Sequence, residues 1–239
     1  TAGILAILPG LSQRVRAQYK IFKHPHTWIM TIIYTMTFGS FIGYSAALPL
    51  SIKVIFGFQH VAGADGVLTH TLVNPNAPSA LTYAWIGPFI GALIRPVGGW
   101  VADKIGGALV TQICSIVMVA GALGAAHFMQ AAYASPTPEV FFMPFFLTIM
   151  TLFFAAGIGN GSTFRTIAMV FDRQQTGPVL GWTSAIAAYG AFFIPLVLGE
   201  QIEQATPQHA LYVFAAFYAV CVVLNWWAYL RPGAAHKNP

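Results

Sequence analysis

Arg95 is the one charged residue in the stretch Tyr83 to Ala102 (YAWIGPFIGALIRPVGGWVA), and no Asp or Glu accompanies it there. About 20 predominantly apolar residues suffice to cross a bilayer as a helix, so this stretch predicts a membrane span. A charge at bilayer depth costs at least about 2.5–3.5 kcal/mol on insertion scales, and such a side chain faces a bundle interior or a watery cavity. An arginine in that position with no internal counter-charge predicts an anion site.

Six windows of span length surround and include it: Thr27–Lys53, Thr82–Ala102, Ala108–Phe128, Val140–Ala168, Val179–Gly199 and Ala210–Leu230. Gly, Pro, Asn and charged residues punctuate the connections, at Gln59–Ser79, Ala134–Glu139, Asp172–Gly177 and Glu200–His209, because Pro and Gly do not continue a helix comfortably. The expected fold is all-α, with six transmembrane helices. Only 7% of the 239 residues are charged and 57% are hydrophobic, against about 25% charged in soluble domains, so a water-solvated surface is not available. The net charge of +5 is spread over eleven scattered cations, which form no basic face for nucleic acid. Membrane lipid is the expected surrounding.

The cations instead report orientation. Arg14, Arg16, Lys20 and Lys23 precede the first window, Lys104 follows the second, Arg173 the fourth, and Arg231 and Lys237 the sixth. The opposite loops hold only Lys53 at a helix end, with Asp65, Glu139, Glu200 and Glu203. The excess of Lys and Arg on one side predicts both termini on the cytoplasmic side of a plasma or inner membrane. Trp28, Tyr83, Trp182, Trp226, Trp227 and Tyr229 lie near window ends, where amphipathic rings suit the headgroup region. Residues 1–26 read as the end of a preceding apolar segment plus a basic linker, 27–231 as the helical bundle and 232–239 as a cytoplasmic tail. Cys114 and Cys221 sit in apolar runs without metal spacing, and the histidines fall in loops, at termini or at a span end. No cofactor or metal is expected, and nothing supports an enzyme.

Beside Arg95, three groups of residues have chemistry to offer. The loop GGWVADKIGG (Gly98 to Gly107) has glycines that permit a tight turn, while Asp103 either caps the next helix or pairs with a cation on a neighbour. In the fourth window Gly157, Gly159, Asn160, Gly161, Ser162 and Thr163 cluster, and Asn160 either donates to an oxyanion or bonds across helices. Arg165, seven residues before Asp172, reads as a cation snorkelling to the interface rather than one binding substrate.

The loop, through Gly99, Asp103, Lys104 and Gly106, resembles the cytoplasmic G-x-x-x-D-[RK]-x-G motif of the major facilitator superfamily, which acts there as a conformational latch. Further resemblance lies in WIMTIIYTMTFGSFIGYSAALPL of the first window, GPFIGALIRPVGGWVADKIGG of the second, GIGNGSTFRTIAMVF of the fourth and LGWTSAIAAYGAFFIP of the fifth. Taken together, the chain from Lys23 onward resembles the C-terminal six-helix half of a nitrate/nitrite porter of that superfamily. The resemblance implies transport of nitrate and nitrite by alternating access, with a matching N-terminal half as partner. It implies that Arg95 contacts the substrate together with a second arginine from that other half, and that Tyr34 and Phe38 line the substrate site. Spacing alone favours lipid-facing or core packing for those two rings, a preference that the resemblance reverses. Gly181–Pro195 resembles a nitrate-signature segment whose small residues include Gly181, Ser184, Ala187, Ala188, Gly190 and Ala191. Such residues also build a close helix seam.

An arginine stays protonated and so cannot carry a proton near neutral pH, while its donor fork suits a planar oxyanion. No carboxylate lies within the windows, with Asp103, Glu139 and Asp172 all at ends. Anion exchange is therefore the expected mode, with Tyr34 and Phe38 sandwiching the planar anion. Proton-coupled symport, with its proton carrier in the other half, is the alternative; an anion channel and a non-transporting membrane subunit are readings of other classes.

Overall fold

The computed structural model describes residues 18–63, 68–69 and 72–239. Six helices in them are long and apolar enough to cross a membrane: α1 (Pro25–Phe56), α2 (Ala80–Ile105), α3 (Gly107–Tyr133), α4 (Pro138–Val170), α5 (Arg173–Glu203) and α6 (Gln208–Leu230). Each contains its apolar window and runs past it at one or both ends. Backbone hydrogen bonding continues beyond the apolar residues until the chain geometry stops it. At Gly106 that stop is a φ of +94°, a conformation glycine adopts without a Cβ penalty, and α3 begins at the next residue. At Phe171 it is an extended residue, followed by Asp172 at the start of α5. The loop after α1, read as irregular, holds a short antiparallel hairpin of β1 (Val61–Ala62) and β2 (Leu68–Thr69). Asn74 ties this loop to the first turn of α4 by donating to Glu139 Oε2 at 2.8 Å.

α4 is the central helix, packing along both α2 and α3 and touching α1; α3 packs on α6, and α1 on α5. Two seams are close because glycines leave the backbones bare. A Cβ at Gly161 of α4 would collide with the carbonyl of Arg95 on α2, and one at Gly190 of α5 would collide with the backbone of Gly39 on α1. The seam expected from the small residues of the fifth window is thus present at Gly190. Buried hydroxyls between helices are paired: Tyr44 with Tyr218 at 2.8 Å, Tyr218 onward to Ser40 at 2.8 Å, and Thr111 with Ser162 at 2.7 Å.

The cation-bearing ends meet at one end of the bundle. Phe22, in a short turn of 3₁₀ helix (Tyr19–Lys23), packs edge-on against Trp182 of α5, and His26 Nδ1 meets the Tyr229 hydroxyl at 3.0 Å. Lys20 and Lys23 lie in that turn, while Arg14, Arg16 and the apolar segment before them fall outside the described residues. The tail at 232–239 turns back onto the bundle. Asn238 donates through Nδ2 to the Ile105 carbonyl at 2.8 Å and accepts through Oδ1 from the Leu109 N–H at 2.9 Å, so it caps the end of α2 and the start of α3 together. Trp28, Trp226 and Trp227 are exposed as interface rings should be, but Tyr229 is buried and hydrogen-bonded. His26, read as a loop residue, stands in the first turn of α1.

Candidate functional site

Two helices lose their regularity where they meet. In α1 the hydroxyls of Thr31 and Thr35 back-bond to Thr27 and Thr31 carbonyls at 2.7 and 2.8 Å, and Thr35–Gly39 winds as a π turn. Such back-bonding bends helices, and π turns occur mostly as single-turn bulges, frequently at functional sites; two more, Ile52–Phe56 and Trp226–Leu230, lie at the ends of α1 and α6. α5 is interrupted between Ala188 and Gly190, where its two helical segments join at Tyr189. The contact of Gly39 with Ala187 and Gly190 brings the two irregular stretches together.

Arg95 approaches this place from α2. Its guanidinium carbon lies 4.1 Å from the centre of the Phe41 ring and 5.4 Å from that of Phe38. Its Nε is buried and has no hydrogen-bond partner. Among the described residues the ion pair present is Arg165 with Asp103, so no carboxylate neutralises Arg95. On α4, Asn160 is 3% exposed and its Nδ2 also lacks a hydrogen-bond partner. The Tyr34 hydroxyl faces both Asn160 and Ser184 and lies in the field of Arg95. Arg95, Tyr34, Phe38, Asn160 and Ser184 thus converge from α1, α2, α4 and α5.

Two expectations are corrected. The Tyr34 and Phe38 rings are 5.3 Å apart at 31°, in contact with each other, so no layer between them is open to a planar ion; they form one wall instead of a sandwich. Gly181 does not join the group. It is exposed, with open space where a side chain would be, and lines a separate cavity of ≈ 700 Å³ with Tyr19, Phe22, Gly177, Pro178 and Trp182. Being one turn before Ser184 is not enough to bring it to Arg95.

Asp103 of the loop motif lies about 12 Å further along α2 than Arg95, two turns and more at 1.5 Å per residue. Asp103 Oδ1 accepts from Arg165 Nε at 3.1 Å, so of its two expected roles it takes the cross-helix pair, and Arg165 is held by a carboxylate as well as reaching toward the helix end. Lys104 Nζ sits 3.9 Å from the centre of the Trp100 ring. Gly99 faces Gly161 in the α2–α4 seam, and Gly106 makes the turn.

Phe41 and Phe164 are site neighbours that the sequence reading missed. Phe164 meets the Tyr34 ring edge-on at 5.4 Å. Phe41 carried a usable signal, since positions 34, 38 and 41 follow the i, i+4, i+7 spacing of one helix face.

No protein-family model matches the chain. A probable nitrate/nitrite antiporter of Thermus thermophilus is 39% identical over 92% of this chain and 45% of its own length. A nitrate/nitrite transporter of Escherichia coli is 35% identical over 92% of this chain and 47% of its own length. A nitrite extrusion protein of Bacillus subtilis is 28% identical over 90% of this chain and 48% of its own length. The chain spans about half the length of the relatives it matches, and those relatives are transporters rather than enzymes. With six membrane-length helices and the superfamily's loop motif in place, this chain belongs to the nitrate/nitrite transporter family of the major facilitator superfamily and corresponds to the C-terminal half of its members.

Proposed function

We propose that this chain supplies one half of the anion site of a nitrate/nitrite transporter, with Arg95 holding the planar oxyanion. The observation that carries this reading is a pair of leftover donors. Arg95 Nε and Asn160 Nδ2 are both buried without partners, while hydroxyls between neighbouring helices, Tyr44 with Tyr218 and Thr111 with Ser162, are paired. Leaving a buried donor unmade costs about 1–3 kcal/mol, and more for a charged group. A ligand that offers only acceptor oxygens matches donors of that kind. Nitrate and nitrite are such ligands, and the Tyr34 hydroxyl and Ser184 flank the same spot. Phe38 and Tyr34 wall it on the α1 side.

The proposed mode is exchange by alternating access. An occupied site neutralises Arg95 and the second arginine expected from the other half, and the two halves then rock around it. An empty site leaves unpaired buried charge, which opposes the transition. The cation-bearing end of the bundle is the cytoplasmic one in this reading, at the plasma membrane. A counterflow assay on the full-length transporter tests it: labelled nitrite should leave vesicles only when nitrate is supplied outside. Arg95→Lys is expected to abolish that exchange, because a point charge lacks the planar fork. Normal exchange by Arg95→Lys sinks the guanidinium role, and nitrate accumulation driven by a pH gradient alone sinks exchange.

A further inference from the structure

We propose that Phe41 is the positioning residue for Arg95, doing the work that a counter-carboxylate does at other buried arginines. The inference rests on the anion-site reading of Arg95. Three features of the packing hold the Phe41 ring under the guanidinium. Gly91 lies one turn before Arg95 on the same side of α2, and a Cβ there would stand 2.7 Å from Phe41 Cε2 and 3.0 Å from its Cδ2. The missing side chain therefore leaves the slot that the ring enters. From α4, Phe153 meets the ring edge-on, with centres 5.9 Å apart at 88°. Arg95 closes the arrangement with its guanidinium carbon at 4.1 Å, nearer than it comes to Phe38.

The chemistry of the contact matters as much as its closeness. A carboxylate partner would occupy the guanidinium N–H groups, and an incoming anion would have to displace it. An aromatic ring attracts the cation through the negative potential of its face, with no acceptor lone pair engaged. The donors remain free, as the unpartnered Arg95 Nε shows. Phe41 thus offsets part of the cost of the empty, charged site and keeps the donor fork fixed for the anion. Fixing a binding group before the ligand arrives raises affinity by lowering the ordering cost on binding.

The test varies the ring's electronics at nearly constant shape. Mono-, di- and trifluorinated phenylalanine would be placed at position 41 of the full-length transporter, with nitrate affinity read by titration calorimetry and melting temperature recorded in parallel. Affinity should fall stepwise with fluorine number, reaching roughly 2- to 30-fold at the trifluoro ring, the range a cation–π contact covers from exposed to desolvated sites. Cyclohexylalanine at the same position, which keeps bulk and removes the π face, should match the trifluoro ring. A merely structural role would leave affinity flat along the series. A flat series in a protein whose Arg95→Ala variant has lost nitrate overturns the role of Phe41 alone. Unchanged nitrate binding by Arg95→Ala overturns the anion site, and this inference with it.

Discussion

Arg95 and Arg165 sit on two helices that pack closely along their length, α2 and α4, yet the fold surrounds the two guanidinium groups in opposite ways. Arg165 is near the end of its helix and pairs with Asp103, whose side chain is 68% exposed. One of its nitrogens, Nη1, is also left unpartnered, so a free donor by itself does not mark a binding residue. What separates Arg95 is the combination of mid-helix depth, no carboxylate, and a second orphaned donor at Asn160. Arg165 closes its helix contact through an acid, whereas Arg95 lies over the Phe41 ring. The two regions also differ in what surrounds them. At the Arg165 end Asn238 caps the backbone groups of the α2–α3 turn, whereas Arg95 stands in mid-helix among the side chains of Phe38 and Phe41.

The comparison breaks most readily at the binding step. Arg95→Ala in the full-length transporter should weaken nitrate binding on the order of a hundredfold or more, since truncating one partner of a buried charge pair costs 2–5 kcal/mol. Arg165→Ala should leave the affinity within a few-fold. Equal losses from both variants, measured by calorimetry, would erase the distinction. Next in size is Gly161→Ala, which forces a Cβ against the Arg95 carbonyl and Gly99 N and should destabilise by about 1–3 kcal/mol through overpacking. Gly181→Ala meets open space and should shift the melting temperature little in either direction.

Smaller effects probe the capped end. Asn238→Ala removes a helix cap and should cost about 1 kcal/mol locally, read as faster amide exchange at Leu109, whose N–H it holds. Unaltered exchange at Leu109 would mean that the tail contributes nothing to the turn. The smallest is the Asp103–Arg165 coupling, expected from a double-mutant cycle on thermal stability to be about 1 kcal/mol or less for a pair this exposed. A larger coupling would make the pair a structural anchor in its own right, and the contrast with Arg95 would then be one of strength as well as kind.

Much of the fold was legible because the bilayer imposes a one-dimensional rule. Twenty apolar residues in a row announce a helix, and all six windows lie inside the observed helices. Where interruptions depend on packing, the sequence is silent. The π turn at Thr35–Gly39 and the break at Tyr189 arise where two backbones touch through Gly39 and Gly190, and neither residue alone foretells its partner. Gly181 shows the limit of motif spacing. It lies in the same signature segment as Ser184, but nothing in that spacing says that Ser184 faces Tyr34 while Gly181 opens onto another cavity. Phe41 shows the converse: its helical spacing with Tyr34 and Phe38 was visible, though only the fold shows it nearer to Arg95 than Phe38 is.

By itself the sequence determined the six helices, the gathering of cations at alternate connections, and the presence of an arginine whose own span offers no acid. Those follow from composition and order along the chain, because hydrophobic transfer and charge cost are local properties of each segment. Which groups Arg95 meets was decided only by the tertiary structure. Asn160, Ser184, Tyr34 and Phe41 come from three other helices, and the glycine seams set how closely those helices approach. Partnership across helices is a property of packing, and so are the open donors on which the role proposed for Arg95 rests.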